Sequence, residues 1–165
     1  MRILVADASV LIDLERSLLV ERAFRLDAEF VVPDVLYERE LKAHNGPALL
    51  RFGLQVMELD AAETADAQSV RQGRPAISVP DAFAFALARG RKWPLLAGDG
   101  ALRALAEATG MECHGVLWLM DQMLAQTAAT ARQLHDGLTA LSKHPRCRLP
   151  VREIHARLKI YAERA

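Results

Sequence analysis

The chain has 165 residues, 52% of them hydrophobic and 25% charged, with 21 basic against 21 acidic side chains and a formal net charge of +0. That length suits one domain, with room for an appendage, and is enough to bury a sizeable core. The even charge balance argues against a broad positive face that grips nucleic acid without help. Cys113 and Cys147 are the only cysteines, so no disulfide framework is expected and a reducing compartment fits.

The opening MRILVADASVLIDL is apolar, but it carries Asp7 and Asp13 and has neither a basic leader nor a small-residue cleavage site. It reads as a strand feeding a helix rather than a signal peptide. Arg2 to Ala6 is a continuous apolar run, as for a strand buried on both faces. Asp7, Ala8 and Ser9 then turn into a helix through Val10, Leu11, Leu14 and Leu18. A second strand, Glu29 to Val32, is stopped by Pro33, and Asp34 starts a helix to about Ala43. Asn45-Gly46-Pro47 breaks that helix. A short helix ending at Gly53 follows, then a third strand, Leu54 to Leu59.

Asp60 is placed to cap a helix running to about Gln72 and closed by Gly73. The loop GRPAISVP leads to the helix DAFAFALARG. Pro94 to Ala97 reads as a fourth strand, Gly98-Asp99-Gly100 opens the helix ALRALAEATG, and Met111 to His114 is a short fifth strand. Strands alternating with helices at this spacing imply an α/β fold, a three-layer parallel sheet of four to five strands with helices on both faces. Beyond residue 117 the character changes to two or three helices. Leu134, Leu138 and Leu141 recur at helical spacing, so that face must pack on something. Residues 1–117 are therefore expected to form the α/β domain, and 118–165 a helical extension docked on it or on a second subunit. No stretch approaches the ~18 uninterrupted apolar residues of a membrane span, and a cytoplasmic protein is expected.

Asp7, Glu40, Asp81 and Asp99 each lie just past a short apolar run that feeds a helix. In open α/β sheets, ligands bind outside the carboxyl ends of the strands. Several acids gathered there repel one another unless a divalent cation joins them. Each acid also has a bland explanation. Asp7 suits an N-cap, and Ser9 beside it is either another cap or a hydroxyl that orients Asp7. Ser78-Val79-Pro80-Asp81 resembles a capping box. Asp99 between two glycines has a turn composition. Glu38 and Glu40 point ~200° apart on an ideal helix, so only one can face the sheet edge; Glu40, next to the buried Leu41, is preferred and Glu38 is the fallback.

These residues resemble the PIN-domain nucleases. VADASVLIDL is similar to their first motif, VVPDVLYEREL to their second, SVPDAFAFALA to their third and LLAGDGALRALAEATGMEC to their fourth. The resemblance spans residues 1 to 117. It implies a Mg²⁺- or Mn²⁺-dependent ribonuclease whose metal-binding acids are Asp7, Glu40, Asp81 and Asp99, and in many bacterial members a toxin paired with an antitoxin. The glutamate motif is shifted by one residue from the commonest spacing. Gly100 and Ala101 stand where members often carry a further acid or polar group, and the helical tail exceeds the compact toxin pattern.

On this reading the substrate is single-stranded RNA, which bends into a cleft more easily than a duplex. Asp7 and Asp99 would ligate directly, with Asp81 and Glu40 serving a second ion or the attacking water. Arg71, Arg74 and Arg103 are the candidates to hold phosphate, and the apolar tail favours a homodimer. His135, His144 and Cys147 match no paired zinc-ligand motif. A phosphoaspartate receiver or phosphatase would need a second acid near Asp7, where Ser9 stands. The rival of another class is a PIN-like module that has lost turnover and acts through a protein or RNA partner.

Overall fold

The structure is a computed structural model that describes residues 1–98 and 100–165; Asp99 lies outside the described residues. The elements run β1 (Arg2–Ala6), α1 (Ala8–Arg16), α2 (Val20–Ala23), β2 (Ala28–Pro33), α3 (Asp34–Leu36) with a π-helical turn (Tyr37–Leu41), and α4 (Gly46–Phe52). Next come β3 (Gln55–Met57), α5 (Ala61–Gly73), α6 (Val79–Arg91), β4 (Leu95–Leu96) and α7 (Ala101–Ala108). The chain closes with β5 (Cys113–His114), α8 (Val116–Ala125), α9 (Ala131–Ser142) and α10 (Val151–Arg164).

The five strands form one parallel sheet in the order β3-β2-β1-β4-β5. The α/β class expected from the sequence is thus what the structure shows, and its five strands fall within the four to five expected. From β1 the chain winds outward through β2 to β3, then returns to lay β4 on the other side of β1. The helices that follow β1 and β4 therefore diverge, and a crevice opens at the carboxyl ends of these two neighbours. In that register Ala6 lies opposite Leu96, so Asp7 and the segment after β4 emerge side by side.

The core explains the strand composition. Leu4, Val5 and Ala6 of β1 and Phe30, Val31 and Val32 of β2 are all at most 1% exposed, as continuous apolar runs covered on both faces should be. Helix α6 packs on β1 and β2 with one side and on α5 with another. Ala84, Phe85, Ala86, Leu87 and Ala88 are each 0% exposed, which requires the small side chains its sequence supplies. Asp60 caps α5 in a full capping box with Glu63.

The tail helices belong to the same core. Leu134, Leu138 and Leu141 of α9 are fully buried and Tyr161 of α10 is 1% exposed, all within one apolar cluster. Helix α9 packs on α1, α8 and α10. Gly137 makes the close approach possible, because a Cβ there would stand 2.6 Å from the Ser17 carbonyl oxygen.

Several boundaries differ from the sequence expectation for local reasons. The first helix ends at Arg16, where the Ser17 hydroxyl donates to the Leu14 carbonyl. Leu18 then takes a left-handed backbone (φ 58°) and is 87% exposed, leaving the apolar face to Leu19. The helix expected over residues 34–43 is α-helical only through Leu36. It then widens into the π turn, in which the Lys42 amide donates to Tyr37 O at 2.8 Å. Strands β3, β4 and β5 are shorter than their apolar runs, since only the paired part of each run is strand. Among the described residues, no helix is long and apolar enough to cross a membrane.

Candidate active site

Asp7 ends β1 and begins α1, and its carboxylate is where the fold concentrates hydrogen bonds. Oδ1 accepts from the Val10 amide at 2.9 Å, the N-cap contact. Oδ2 accepts from the Gly98 amide at 3.1 Å, across from the end of β4. The Ser9 hydroxyl lies 2.9 Å from both oxygens, and Gly98 N is also 3.2 Å from Ser9 Oγ. The backbone amide of Asp7 donates to Leu96 O at 2.9 Å. The side chain is 4% exposed. The capping explanation and the functional one are therefore satisfied by a single geometry. Gly98 is required here because a Cβ would sit 2.5 Å from Ser9 Oγ.

Glu40 and Asp81 reach the same crevice. Together with Asp7, Ser9 and Gly98 they line a hollow of about 330 Å³ whose floor includes Ile77 and Leu102. Asp81 lies in the first turn of α6, where its amide donates to Ser78 Oγ at 3.2 Å, leaving the carboxylate to the hollow. The π turn places the two glutamates differently. Glu38 is exposed and pairs with Lys42 at 3.1 Å, whereas Glu40 is half-buried and lines the hollow. π-Helical turns recur at functional sites because the added residue re-aims side chains.

The electrostatics follow from this crowding. Burial raises the Asp7 carboxyl above its ordinary value, against the opposing hydrogen bonds of Val10, Gly98 and Ser9. Burial, and next the charge of Asp7, raise Glu40. Asp81 is pushed up to about 6, first by burial and then by the charges of Asp7 and Glu40. Glu40 and Asp81 thus both feel the charge of Asp7, and a cation among the three would lower them all. Their donor set is carboxylate oxygen, the chemistry that hard cations such as Mg²⁺ and Mn²⁺ take. Among the described residues, no three His, Cys, Asp or Glu side chains lie close enough together to hold a metal ion. The fourth acid read from the sequence, Asp99, lies outside the described residues.

The arginines expected to hold phosphate are engaged elsewhere or remote from the acids. Arg71 Nη1 donates to Pro75 O at 3.1 Å and Ile77 O at 2.5 Å, which ties down the loop leading to Asp81. Arg103 pairs with Glu107 at 3.1 Å, and Arg74 is exposed where α5 ends. The cations that do adjoin the acidic hollow are Arg16, Arg146 and Arg148, on the wall of a neighbouring hollow shared through Ser9, Ile12 and Gly98. The sequence signal was the basic run KHPRCRLP, which holds three of the tail's basic residues within six positions.

A wound parallel sheet with carboxylates gathered at its switch point defines an α/β protein with a candidate site in that crevice. A family model described as PIN domain matches residues 3–163. The chain belongs to the PIN-domain family, and the match runs on through α8, α9 and nearly all of α10. No curated protein matches the chain.

Proposed function

We propose that the chain is a metal-dependent endoribonuclease that hydrolyses phosphodiester bonds of single-stranded RNA, with Asp7, Glu40, Asp81 and Asp99 as its metal-binding and catalytic acids. One observation carries this reading. Three acids far apart in sequence line one crevice at the β1–β4 switch point, and each of the three has a raised carboxyl. Structural acids are normally placed to lower their pKa values, so a nest that raises several points to a charged partner.

The residues present fit Mg²⁺ or Mn²⁺ by donor type. When bound, such an ion supplies an acidified water and neutralises charge on the phosphoryl oxygens. The chain's own residues do the rest. Val10 N, Gly98 N and Ser9 Oγ fix the Asp7 carboxylate so that it needs little reorganisation. Asp81, raised to about 6, can hold or release its proton near neutral pH beside Asp7 and Glu40. Ile77 and Leu102 bound the hollow on its apolar side.

Residues 1–117 are taken as the nuclease domain and 118–165 as its helical extension. The extension buries its apolar stripe against this chain's own core, so a homodimer would use other surfaces, such as the exposed Leu50, Phe52 and Val56 around β3. A cytoplasmic toxin with a protein antitoxin covering the acidic crevice completes the proposal.

The experiment is cleavage of unstructured RNA by the wild-type protein and by Asp7→Asn with added Mn²⁺. Loss of cleavage in a variant with a native circular-dichroism spectrum is expected. Undiminished cleavage by folded Asp7→Asn would refute the assignment. Wild-type protein that binds RNA without cutting it would select the binding-module reading.

A further inference from the structure

The acidic hollow continues past its own acids. Ser9, Ile12 and Gly98 also form one wall of a second hollow of about 260 Å³, whose other walls are Asp13, Arg16, Arg146, Arg148 and Leu149. Leu149 in turn borders a third hollow beyond it, with Arg103, His114 and Arg157. The hollow that adjoins the acids is basic on the side away from them.

The cations of the two outer hollows differ in kind. Arg157 is clamped by both oxygens of Asp121 at 2.9 and 2.7 Å, Arg103 is held by Glu107, and His114 by Glu112. Among the described residues, no side-chain hydrogen bond or ion pair is formed by Arg16, Arg146 or Arg148. Asp13 is the acid on their wall. Guanidinium groups without such partners, beside a crevice built from carboxylates, retain their donors for an incoming anion.

Their presentation is built into the fold. Between α9 and α10 the chain turns on two hydrogen bonds, Cys147 N to His144 O at 3.0 Å and Arg146 N to His144 Nδ1 at 3.1 Å. Cys147 and Leu149 pack on the core. Arg146 and Arg148 alternate with them and are exposed. Apolar anchors at every second position thus hold the two arginines outward along one edge of the basic hollow. Arg16, at the last turn of α1, lines the same hollow.

We propose that Arg16, Arg146 and Arg148 form a phosphate track that holds the single-stranded RNA backbone flanking the bond to be cut, supplied largely by the segment between the last two helices. This rests on the crevice being the hydrolytic site. It also accounts for a chain of zero net charge acting on a polyanion, since the cations are segregated to one hollow rather than spread over a face.

The test is fluorescence anisotropy of a short labelled RNA binding to Asp81→Asn protein in Mn²⁺, expected not to cut, as a function of salt. Replacing both Arg146 and Arg148 by Ala should lower the slope of log affinity against log salt by about 1.4, roughly 0.7 per lost phosphate contact. Between roughly 50 and 200 mM salt, the parent should then lose about sevenfold more affinity than the variant. Arg146→Lys with Arg148→Lys should keep the slope, as should Arg25→Ala with Arg51→Ala, exposed cations outside the hollow.

An unchanged slope in the double alanine variant, with wild-type cleavage intact, overturns the track and leaves the hydrolase standing. A reduced slope with no cleavage by wild-type protein overturns the hydrolase and keeps the track as a binding surface. A parent protein that does not bind RNA at all overturns the track.

Discussion

Asp81→Asn should separate the stability of this protein from its activity. The Asp81 carboxyl is raised from 3.8 to about 6 by burial and by the charges of Asp7 and Glu40. Well below pH 3.8 the folded and unfolded chains both carry this group neutral, and it contributes nothing. Between pH 4 and 6 the unfolded chain releases its proton while the folded one retains it, so stability falls as pH rises. Above pH 6 the folded chain carries the charge at a cost of at most about 3 kcal/mol, since a tenfold change in proton affinity is worth ~1.4 kcal/mol. Solvent at the open side of the hollow screens the charge and lowers that ceiling. Asparagine lacks the charge, and the capping contact at this residue is made by its backbone amide, which the substitution preserves. The variant should therefore gain up to about 3 kcal/mol over wild type at pH 7.5 and almost nothing near pH 3. Urea denaturation at the two pH values measures the difference. A gain of equal size at both, or no gain at the higher pH, would refute the argument that Asp81 is charged against its surroundings. Cleavage by the variant should be lost.

Divalent cations should stabilise the wild-type protein in the same sense, by offsetting the charge that the substitution removes. Mn²⁺ at about one hundred times its Kd should stabilise by about 2.7 kcal/mol, seen as a rise in Tm; the rise should be larger above pH 6 than below it and should shrink in Asp7→Asn. No shift at any pH would count against a metal site. Gly98→Ala should cost more in cleavage than in stability. Its Cβ would displace Ser9 Oγ, the flexible end of a side chain, and with it a donor to Asp7. A variant with wild-type cleavage and lowered Tm would reverse that order.

The sheet and the Asp7 corner were legible because both depend on local pattern: an apolar run that must be covered on both faces, then an acid whose oxygen caps the next helix. Glu40 lies inside the π turn and Asp81 opens a helix that follows α5 rather than a strand, so neither stands at the strand-to-helix corner expected of it. The family resemblance drawn on those residues is shown by the match across residues 3–163. What sequence periodicity could not decide was Glu38 against Glu40. The answer depends on the π turn, which re-aims the helix by one residue and has no compositional mark. Leu18 misled for a related reason: it continues the helical spacing of Leu11 and Leu14, but the helix is already closed by Ser17. The three arginines of the basic hollow were hidden by distance. Arg16 lies 130 residues before Arg146, and only the docking of α9 on α1 brings the segment that follows it back to the crevice.

Asp7 and Asp81 illustrate why one inactive variant is weaker than two. Both acids are raised by burial, but Asp7 spends its oxygens on the fold: Oδ1 on Val10, Oδ2 on Gly98, and both on Ser9. An asparagine there must turn its NH₂ toward one of those N–H donors, which leaves a buried pair facing each other at a cost of ~1–3 kcal/mol. Relief of the buried charge offsets part of that, so the net change in stability is small and its sign is set by which hydrogen bond is lost. Loss of cleavage in Asp7→Asn therefore always admits a distorted β1–β4 junction as its cause. Asp81 has no such burden, because its backbone amide, not its carboxylate, makes the cap. A protein that becomes more stable and stops cutting RNA has lost chemistry and not structure, and Asp81→Asn, unlike Asp7→Asn, can deliver that pair of results.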